Sequence, residues 1–138
     1  MGDTGRYVIT GDVYIGDMMS KKWKRVEASG SVPTNRAAHQ ALAIELNQMI
    51  IFGGAVGGGG LADDNLYVFE LREDVGSWVT VPVIGTTPGR RYGHTMVLIK
   101  PFLLVFGGNT GQEPVNDVWS FNLEKSPYSW SKLECTSE

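Results

Sequence analysis

Short apolar runs, broken by glycine, proline and polar residues, follow one another along the whole chain, and none of them has helical periodicity. The segments 41–46 and 95–99 have the length and composition of apolar strands. Each is followed, after a short turn, by a continuously apolar run, 48–52 or 102–106, which predicts a strand buried on both faces. The pattern therefore predicts two hairpins with the same internal order.

A third kind of strand is predicted after each hairpin, because the segments 65–71 and 117–123 alternate along their length. One face of these strands would carry Leu66, Val68, Val118 and Ser120, and the other would carry Tyr67, Phe69, Trp119 and Phe121. Glycine and proline interrupt every stretch that is long enough for a helix. The predicted fold class is therefore all-β.

One set of residue types occurs twice, at equivalent positions that lie roughly 52 to 55 residues apart. Each copy has an Arg-x-x-His segment before its first strand, a diglycine after its second, and two aromatic residues eleven positions apart. The N-terminal region holds the back half of a third copy, with Tyr14 and Trp23. The repeated positions are Arg36, His39, Gly53, Gly54, Tyr67 and Trp78 in one copy and Arg91, His94, Gly107, Gly108, Trp119 and Trp130 in the other.

Repetition of four short strands per unit predicts the blades of a β-propeller, each with four antiparallel strands. Residues 1–31 form the back half of one blade, residues 32–86 form a repeat, and residues 87–138 form a second repeat with a polar tail. About two and a half blades make an incomplete propeller, which leaves apolar blade faces uncovered. We therefore expect self-association, and three copies with two full blades each would give a six-bladed ring.

Charge and composition narrow the range of partners. The net charge is −3 and the pI is about 5.4, and the one basic cluster, 21–25, is followed by Glu27 and is interpreted as a solvated strand face. We therefore expect no nucleic-acid and no membrane partner. The single cysteine, Cys135, permits no disulfide within one chain, and no apolar run is long enough to span a membrane. A cytoplasmic or nuclear location is expected.

The diglycines, spaced aromatic residues and Arg-x-x-His segments resemble kelch repeats over almost the whole chain. Lys22-Trp23, Asp63-Asp64 before Leu66-Tyr67, Arg91-Tyr92-Gly93-His94 and Lys125-Ser126-Pro127 before Trp130 are similar to the N-terminal kelch domain of kelch-containing serine/threonine protein phosphatases. That family includes the plant phosphatases of brassinosteroid signalling and apicomplexan relatives. The resemblance implies a propeller joined to a phosphatase domain that holds two divalent metal ions.

The metal-binding motifs that this resemblance implies for the phosphatase domain are absent from the sequence. Gly11-Asp12 and Gly16-Asp17 lack the histidine or arginine that follows in such motifs, and Gly108-Asn109 is followed by threonine. The chain itself is therefore not expected to be an enzyme or to hold a cofactor. The alternative is a propeller enzyme or a metal-binding kelch protein, but the predicted loops contain mainly glycine and other small residues.

Protein recognition is the leading functional hypothesis, because propellers present variable loops on a rigid scaffold. Arg36, Arg90 and Arg91 precede the innermost strands and could bind an acidic or phosphorylated peptide together with the loops 55–64 and 109–116. Arg36 and Arg91 could instead hydrogen-bond neighbouring blades. His39 and His94 are interpreted as structural residues that bond to neighbouring backbone, with a metal in a central channel as the alternative.

Overall fold

Eleven strands and one short 3₁₀ turn make up the secondary structure of the described residues. The structure is a computed structural model that describes residues 9–134. The strands are β1 (Val13–Asp17), β2 (Lys22–Gly30), β3 (Gln40–Glu45), β4 (Gln48–Phe52), β5 (Leu66–Arg72), β6 (Val75–Thr80), β7 (Val83–Ile84), β8 (Thr95–Ile99), β9 (Phe102–Asn109), β10 (Pro114–Asn122) and β11 (Tyr128–Leu133). The prediction of an all-β fold is confirmed, whereas Cys135 lies outside the described residues.

Two four-stranded antiparallel units form the centre of the molecule. Strands β3 to β6 make the first blade and strands β8 to β11 make the second blade, each in simple sequence order from the innermost to the outermost strand. The predicted apolar segments match β4 and β8 in their bounds. Strand β10 begins earlier than predicted, because an irregularity between Val115 and Val118 lets it continue beyond the alternating segment.

A parallel strand joins each blade to the part of the chain that precedes it. The end of β2 runs parallel to β6, with Glu27 opposite Val75 and Gly30 opposite Trp78. In the same way β7 runs parallel to β11, with Val83 opposite Tyr128. The chain that leaves one outermost strand therefore passes along the outer edge of the next blade before it enters that blade's innermost strand. The sequence pattern predicted four antiparallel strands per blade and did not predict this addition.

The main core lies between the two blades. Ile50, Phe52 and Leu66 of the first blade are completely buried, as are Leu103, Val105 and Phe121 of the second. The Trp130 ring fills the space between the sheets, with its centroid 5.3 Å from that of Phe52 and 5.0 Å from that of Phe121. A large aromatic ring supplies the volume that the space between two packed sheets requires.

A smaller core lies on the opposite face of the first blade. The N-terminal hairpin, β1 and β2, packs there with Val26 buried among Ile51, Tyr67, Phe69 and Trp78. The Phe69 and Trp78 ring centroids are 5.0 Å apart. The N-terminal half copy is therefore the outer half of a blade stacked against the first blade, as expected for part of a kelch propeller.

One face of the second blade departs from the predicted burial. The segment 102–106 was predicted to be buried on both faces, and Leu103 and Val105 are buried, but Phe102 and Phe106 are exposed. The prediction is wrong for that face, because no further blade of the described chain covers it. Strand β4 has neighbours on both sides, and its residues Ile50, Ile51 and Phe52 are buried as predicted.

Candidate functional site

The Arg91 side chain lies buried beneath the loops at one end of the second blade. Its Nη1 donates to the Gly107 carbonyl oxygen at 2.8 Å and to the Asp117 carboxylate at 2.7 Å. Its Nη2 donates to the other Asp117 oxygen at 3.1 Å and to the Pro88 carbonyl oxygen. The hydrogen bonds from Arg91 hold the pKa of Asp117 at about 2, well below its ordinary value. Arg91 therefore ties the segment that enters the second blade to strands β9 and β10.

Arg36 occupies the equivalent position in the first blade with weaker contacts. Its Nη1 donates to the Gly53 carbonyl oxygen at 3.2 Å, and its guanidinium lies 3.7 Å from the Asp63 carboxylate. The guanidinium carbon also lies 5.2 Å from the centroid of the Tyr67 ring, a cation–π distance. Arg36 is therefore held by the Gly53 and Thr34 carbonyl oxygens, the Thr34 hydroxyl, one ring and a more distant acid, rather than by a close bidentate acid.

An aromatic donor completes each arginine site. The Trp119 Nε1 donates to Asp117 at 2.9 Å in the second blade, and the Tyr67 hydroxyl donates to Asp63 at 2.7 Å in the first. The repeat alignment places Asn65, not Asp63, opposite Asp117. In the first blade, the acid that contacts the arginine and the aromatic donor therefore lies two positions earlier in the repeat than it does in the second blade.

The guanidinium groups of Arg36 and Arg91 bond within their own blades. The hypothesis that these side chains bond neighbouring blades is therefore wrong. It is the Arg91 carbonyl oxygen that bridges the blades, by accepting a hydrogen bond from the Gly54 N–H at 2.8 Å. Arg90, in contrast, is exposed beside the same loops. A role for Arg36, Arg90 and Arg91 in binding a partner stays a prediction.

The loop 55–64 of the first blade projects from the end of the molecule that carries Arg90. Its tip is the 3₁₀ turn Gly57–Gly59, and a Cβ atom added at any of these three glycines would meet nothing within 4 Å in the described part of the chain. At its base, Asp64 accepts a hydrogen bond from the Thr87 hydroxyl in the loop that enters the second blade. No pattern in the sequence indicated this cross-blade contact. The tip of the loop therefore has free space around it, whereas its base is held by a hydrogen bond to the segment that enters the second blade.

His94 lies in the junction between the blades. It is buried with its ring edge-on to Phe52, the centroids 5.4 Å apart, and neither ring nitrogen has a hydrogen bond of good geometry. His39 is partly buried nearby, and its Nδ1 also has no partner. Within residues 9–134, no three histidine, cysteine, aspartate or glutamate side chains are grouped so that they could hold a metal ion.

Acid is expected to destabilise the junction through His94. Burial lowers the pKa of His94 from 6.5 to about 4, with the charges of Arg91 and His39 acting in the same direction and the Phe52 backbone opposing them. The folded state therefore binds fewer protons than the unfolded state between these values. The stabilisation is complete above pH 6.5 and is lost as the pH falls towards 4. We expect the free energy of unfolding to fall by about 2 kcal/mol between pH 7 and pH 5 from this group.

Urea unfolding at a series of pH values, followed by tryptophan fluorescence, measures this dependence. The variant His94→Gln carries no titrating ring, so its stability should change much less over the same range. The matched variant His39→Gln should keep most of the dependence, because His39 is less buried. An unchanged slope in His94→Gln would show that another group is responsible.

The aspartates of the two Gly-Asp segments near the N-terminus stabilise the hairpin of β1 and β2. Asp17 accepts hydrogen bonds from the Met19 N–H at 2.8 Å and the Ser20 N–H at 3.3 Å, and these bonds lower its pKa. Asp12 lies 3.2 Å from Arg25 on the paired strand. Both aspartates thus have structural partners in the turn and across the strands.

Comparison of the sequence with known proteins places the chain in a family. The chain matches the family described as the KLHDC2/KLHL20/DRC7 Kelch-repeats domain over residues 2–138. The chain belongs to the kelch-repeat family. Kelch repeats serve protein–protein interaction, and the kelch resemblance predicted from the repeated residues is confirmed. Within the described part of the chain no helix is both long and apolar enough to cross a membrane.

Individual relatives of this kelch domain are longer proteins. It is 41% identical over 94% of its length to the serine/threonine-protein phosphatase BSL2 of Arabidopsis thaliana, and covers 13% of that protein. It is 30% identical over 99% of its length to Adagio protein 3 of the same plant, and covers 23% of that protein. A Rab9 effector protein with kelch motifs from Danio rerio is 28% identical over 74% of the chain. The predicted similarity to kelch-containing phosphatases is therefore confirmed, whereas a propeller enzyme is not favoured.

Proposed function

We propose that this kelch segment is the recognition part of a serine/threonine protein phosphatase. The observation that carries the proposal is the 41% identity to BSL2, which extends over 94% of the chain. The metal-binding motifs of such phosphatases are absent from the sequence, so the catalytic domain and its two divalent ions would belong to the remainder of the parent protein. The segment would select what that domain acts on, in the cytoplasm or the nucleus.

The proposed binding surface is the end of the molecule that carries Arg90, the loop 55–64 and the segment 109–116, which joins β9 to β10. Arg90 is exposed, and a free guanidinium there suits a carboxylate or phosphate group. Arg36 and Arg91, whose donors are engaged by backbone and acid oxygens, would hold the loops in position from below. An acidic or phosphorylated peptide is therefore the proposed ligand.

Replacing Arg90 by alanine tests this assignment. Binding of acidic and phosphorylated peptides to the full chain, measured by fluorescence anisotropy, should weaken about tenfold or more, because a charge-assisted hydrogen bond contributes about 1.5–3 kcal/mol. Higher salt should weaken binding to the unaltered chain and have less effect on the variant. The matched control is Arg72→Ala, which removes an exposed arginine from the opposite end of the strands. Equal weakening by both variants would show a general charge effect and contradict the assigned surface.

Self-association is a second proposal, and a separate observation favours it. Ile99 and Phe102 expose large apolar side chains on the second blade, and Tyr14 and Trp23 do so on the N-terminal hairpin. Apolar surface of this kind on both ends of a stack favours association. Peptide binding and self-association use different surfaces, so each can fail without the other.

A further inference from the structure

A side-chain hydrogen bond joins the two blades at the end of the molecule that carries Arg90. The Thr87 hydroxyl, in the segment that enters the second blade, donates to the Asp64 carboxylate at the base of the loop 55–64, with 2.5 Å between the oxygen atoms. That distance lies in the range of a charge-assisted hydrogen bond. Among the side-chain hydrogen bonds of residues 9–134, this is the one that connects the two blades. The Thr87–Asp64 bond therefore links two parts of the proposed binding surface directly.

The same hydroxyl holds the backbone that precedes Arg90. The Thr87 oxygen accepts a hydrogen bond from the Gly89 N–H at 3.0 Å, and its own proton is donated to Asp64. Arg91, on the other side of Arg90, is buried and bonded within the second blade. Arg90 is therefore an exposed side chain on a backbone that is held at both neighbouring positions.

The base of the loop 55–64 is held by two adjacent acids that bond to different blades. Asp63 accepts a hydrogen bond from the Tyr67 hydroxyl at 2.7 Å, within the first blade. Asp64 instead accepts its hydrogen bond across the junction between the blades. The position of the loop on its own blade therefore depends on Asp63, whereas its position relative to Arg90 depends on Asp64.

The chemistry of the two sides of this junction is different. Residues 55–62 are alanine, valine, glycine and leucine, and none of them carries a charge. Arg90 supplies an exposed positive charge on the other side. Asp64 and the exposed Glu113 would repel a second acidic group of a ligand, because like charges brought together across an interface are unfavourable. The arrangement therefore suits a ligand with one acidic group beside an uncharged segment.

We propose that Arg90 and residues 55–62 form one composite binding site across the junction of the two blades, and that Thr87 is the residue that positions its two parts. This inference rests on the proposed binding of acidic or phosphorylated peptides and specifies how such a peptide is recognised. Arg90 binds the acidic group, and residues 55–62 contact the uncharged segment beside it. The Thr87–Asp64 bond keeps the two parts at a fixed separation, which raises affinity because the loop does not have to be ordered during binding.

Hydrogen exchange of the full chain tests the positioning without any ligand. Thr87→Val keeps the shape of the side chain but removes the hydroxyl, so the Ala62 amide, which is bonded to the Gly54 carbonyl oxygen at 2.9 Å, should exchange about tenfold faster. Thr87→Ser keeps the hydroxyl and should exchange like the unaltered chain. The matched control Thr86→Val makes the same substitution at the exposed neighbouring position and should have no effect. Unchanged exchange in Thr87→Val, or equal acceleration in Thr87→Ser, would overturn the role of the hydroxyl.

Peptide binding to the same variants tests the composite site. The probe is a fluorescein-labelled peptide with one phosphoserine and otherwise uncharged residues, and its binding is measured by fluorescence anisotropy. Thr87→Val should raise its dissociation constant about three- to tenfold. In the Arg90→Ala background the same change should have little effect, because the hydroxyl acts through the placement of Arg90. Equal weakening in both backgrounds would show that Thr87 only supports the fold, and would overturn the inference.

The remaining outcomes separate this inference from the proposed function. Binding that Arg90→Ala weakens and Thr87→Val does not would overturn the inference and leave the proposed function standing. Absence of binding to the unaltered chain would overturn both. A probe with acidic residues on both sides of the phosphoserine should bind more weakly, and tighter binding would overturn the class of ligand. Tryptophan fluorescence checks that each variant folds, and Asp64→Asn, which weakens the same bond from the acceptor side, replaces Thr87→Val in the exchange measurement if that variant does not.

Discussion

Replacing Arg91 by methionine is expected to lower the free energy of unfolding by about 3–5 kcal/mol, because it leaves the Asp117 carboxylate without its buried partner. The Arg91 side chain is 2% exposed and Asp117 is 18% exposed, so water cannot fully take the place of the guanidinium. The Gly107 and Pro88 carbonyl oxygens also lose their donor. Urea unfolding followed by tryptophan fluorescence measures the loss.

Two further variants separate the ion pair from general damage to the loop. The double variant Arg91→Met/Asp117→Leu should recover part of the lost stability, since removing both partners leaves no unpaired charge. Arg90→Ala, at the neighbouring exposed position, should change stability by no more than about 0.5 kcal/mol. A loss below about 1 kcal/mol for Arg91→Met would show that the ion pair contributes little to the fold.

Replacing Gly53 by alanine is expected to cost about 3 kcal/mol, from two independent effects. Its φ of +75° lies in the left-handed region, where a non-glycine residue is strained. A Cβ atom at Gly53 would also collide with the His94 ring and approach the Arg91 carbonyl oxygen to 2.7 Å. The backbone cannot move away freely, because the next residue, Gly54, donates its N–H to that same carbonyl oxygen. The variant should therefore loosen the junction between the blades.

Gly57→Ala is the matched control, because nothing lies within 4 Å of a Cβ atom there. It should leave stability almost unchanged or raise it slightly, through a smaller entropy of the unfolded chain. Thermal unfolding of Gly53→Ala and Gly57→Ala under the same conditions compares the two glycines directly. Equal effects would contradict the steric explanation for Gly53.

The strands and their buried faces could largely be predicted, because they depend on local patterns. The continuous apolar run 48–52 became β4 with its bounds unchanged, and the alternation around Tyr67 correctly divided β5 between two faces. The exposure of Phe102 could not be predicted from its own segment. The pattern shows that a side chain suits a covered face, but whether another sheet covers it depends on the rest of the assembly.

At the arginine sites, too, the sequence predicted what depends on local pattern but not what depends on residues far away in the chain. The recurrence of Arg36 and Arg91 predicted a shared role, but their acceptors lie as far as 26 positions away in the chain, as Asp117 does from Arg91. Asp63 lies two positions before the residue that aligns with Asp117, so an alignment of the two copies does not pair the two acids. Whether an arginine forms a buried ion pair or is exposed for binding depends on which residues lie close to it in three dimensions. Spacing along the chain does not show those neighbours.

The parallel strand along the outer edge of each blade also sets an order for its formation during synthesis. In both cases this strand precedes the blade in the chain: the end of β2 comes before β6, and β7 comes before β11. When the ribosome has released the last strand of a blade, every strand that the blade pairs with is already available. The edge on which a growing chain could capture a neighbouring nascent chain is therefore already partly covered when the blade is made, over four residues of β6 and two of β11.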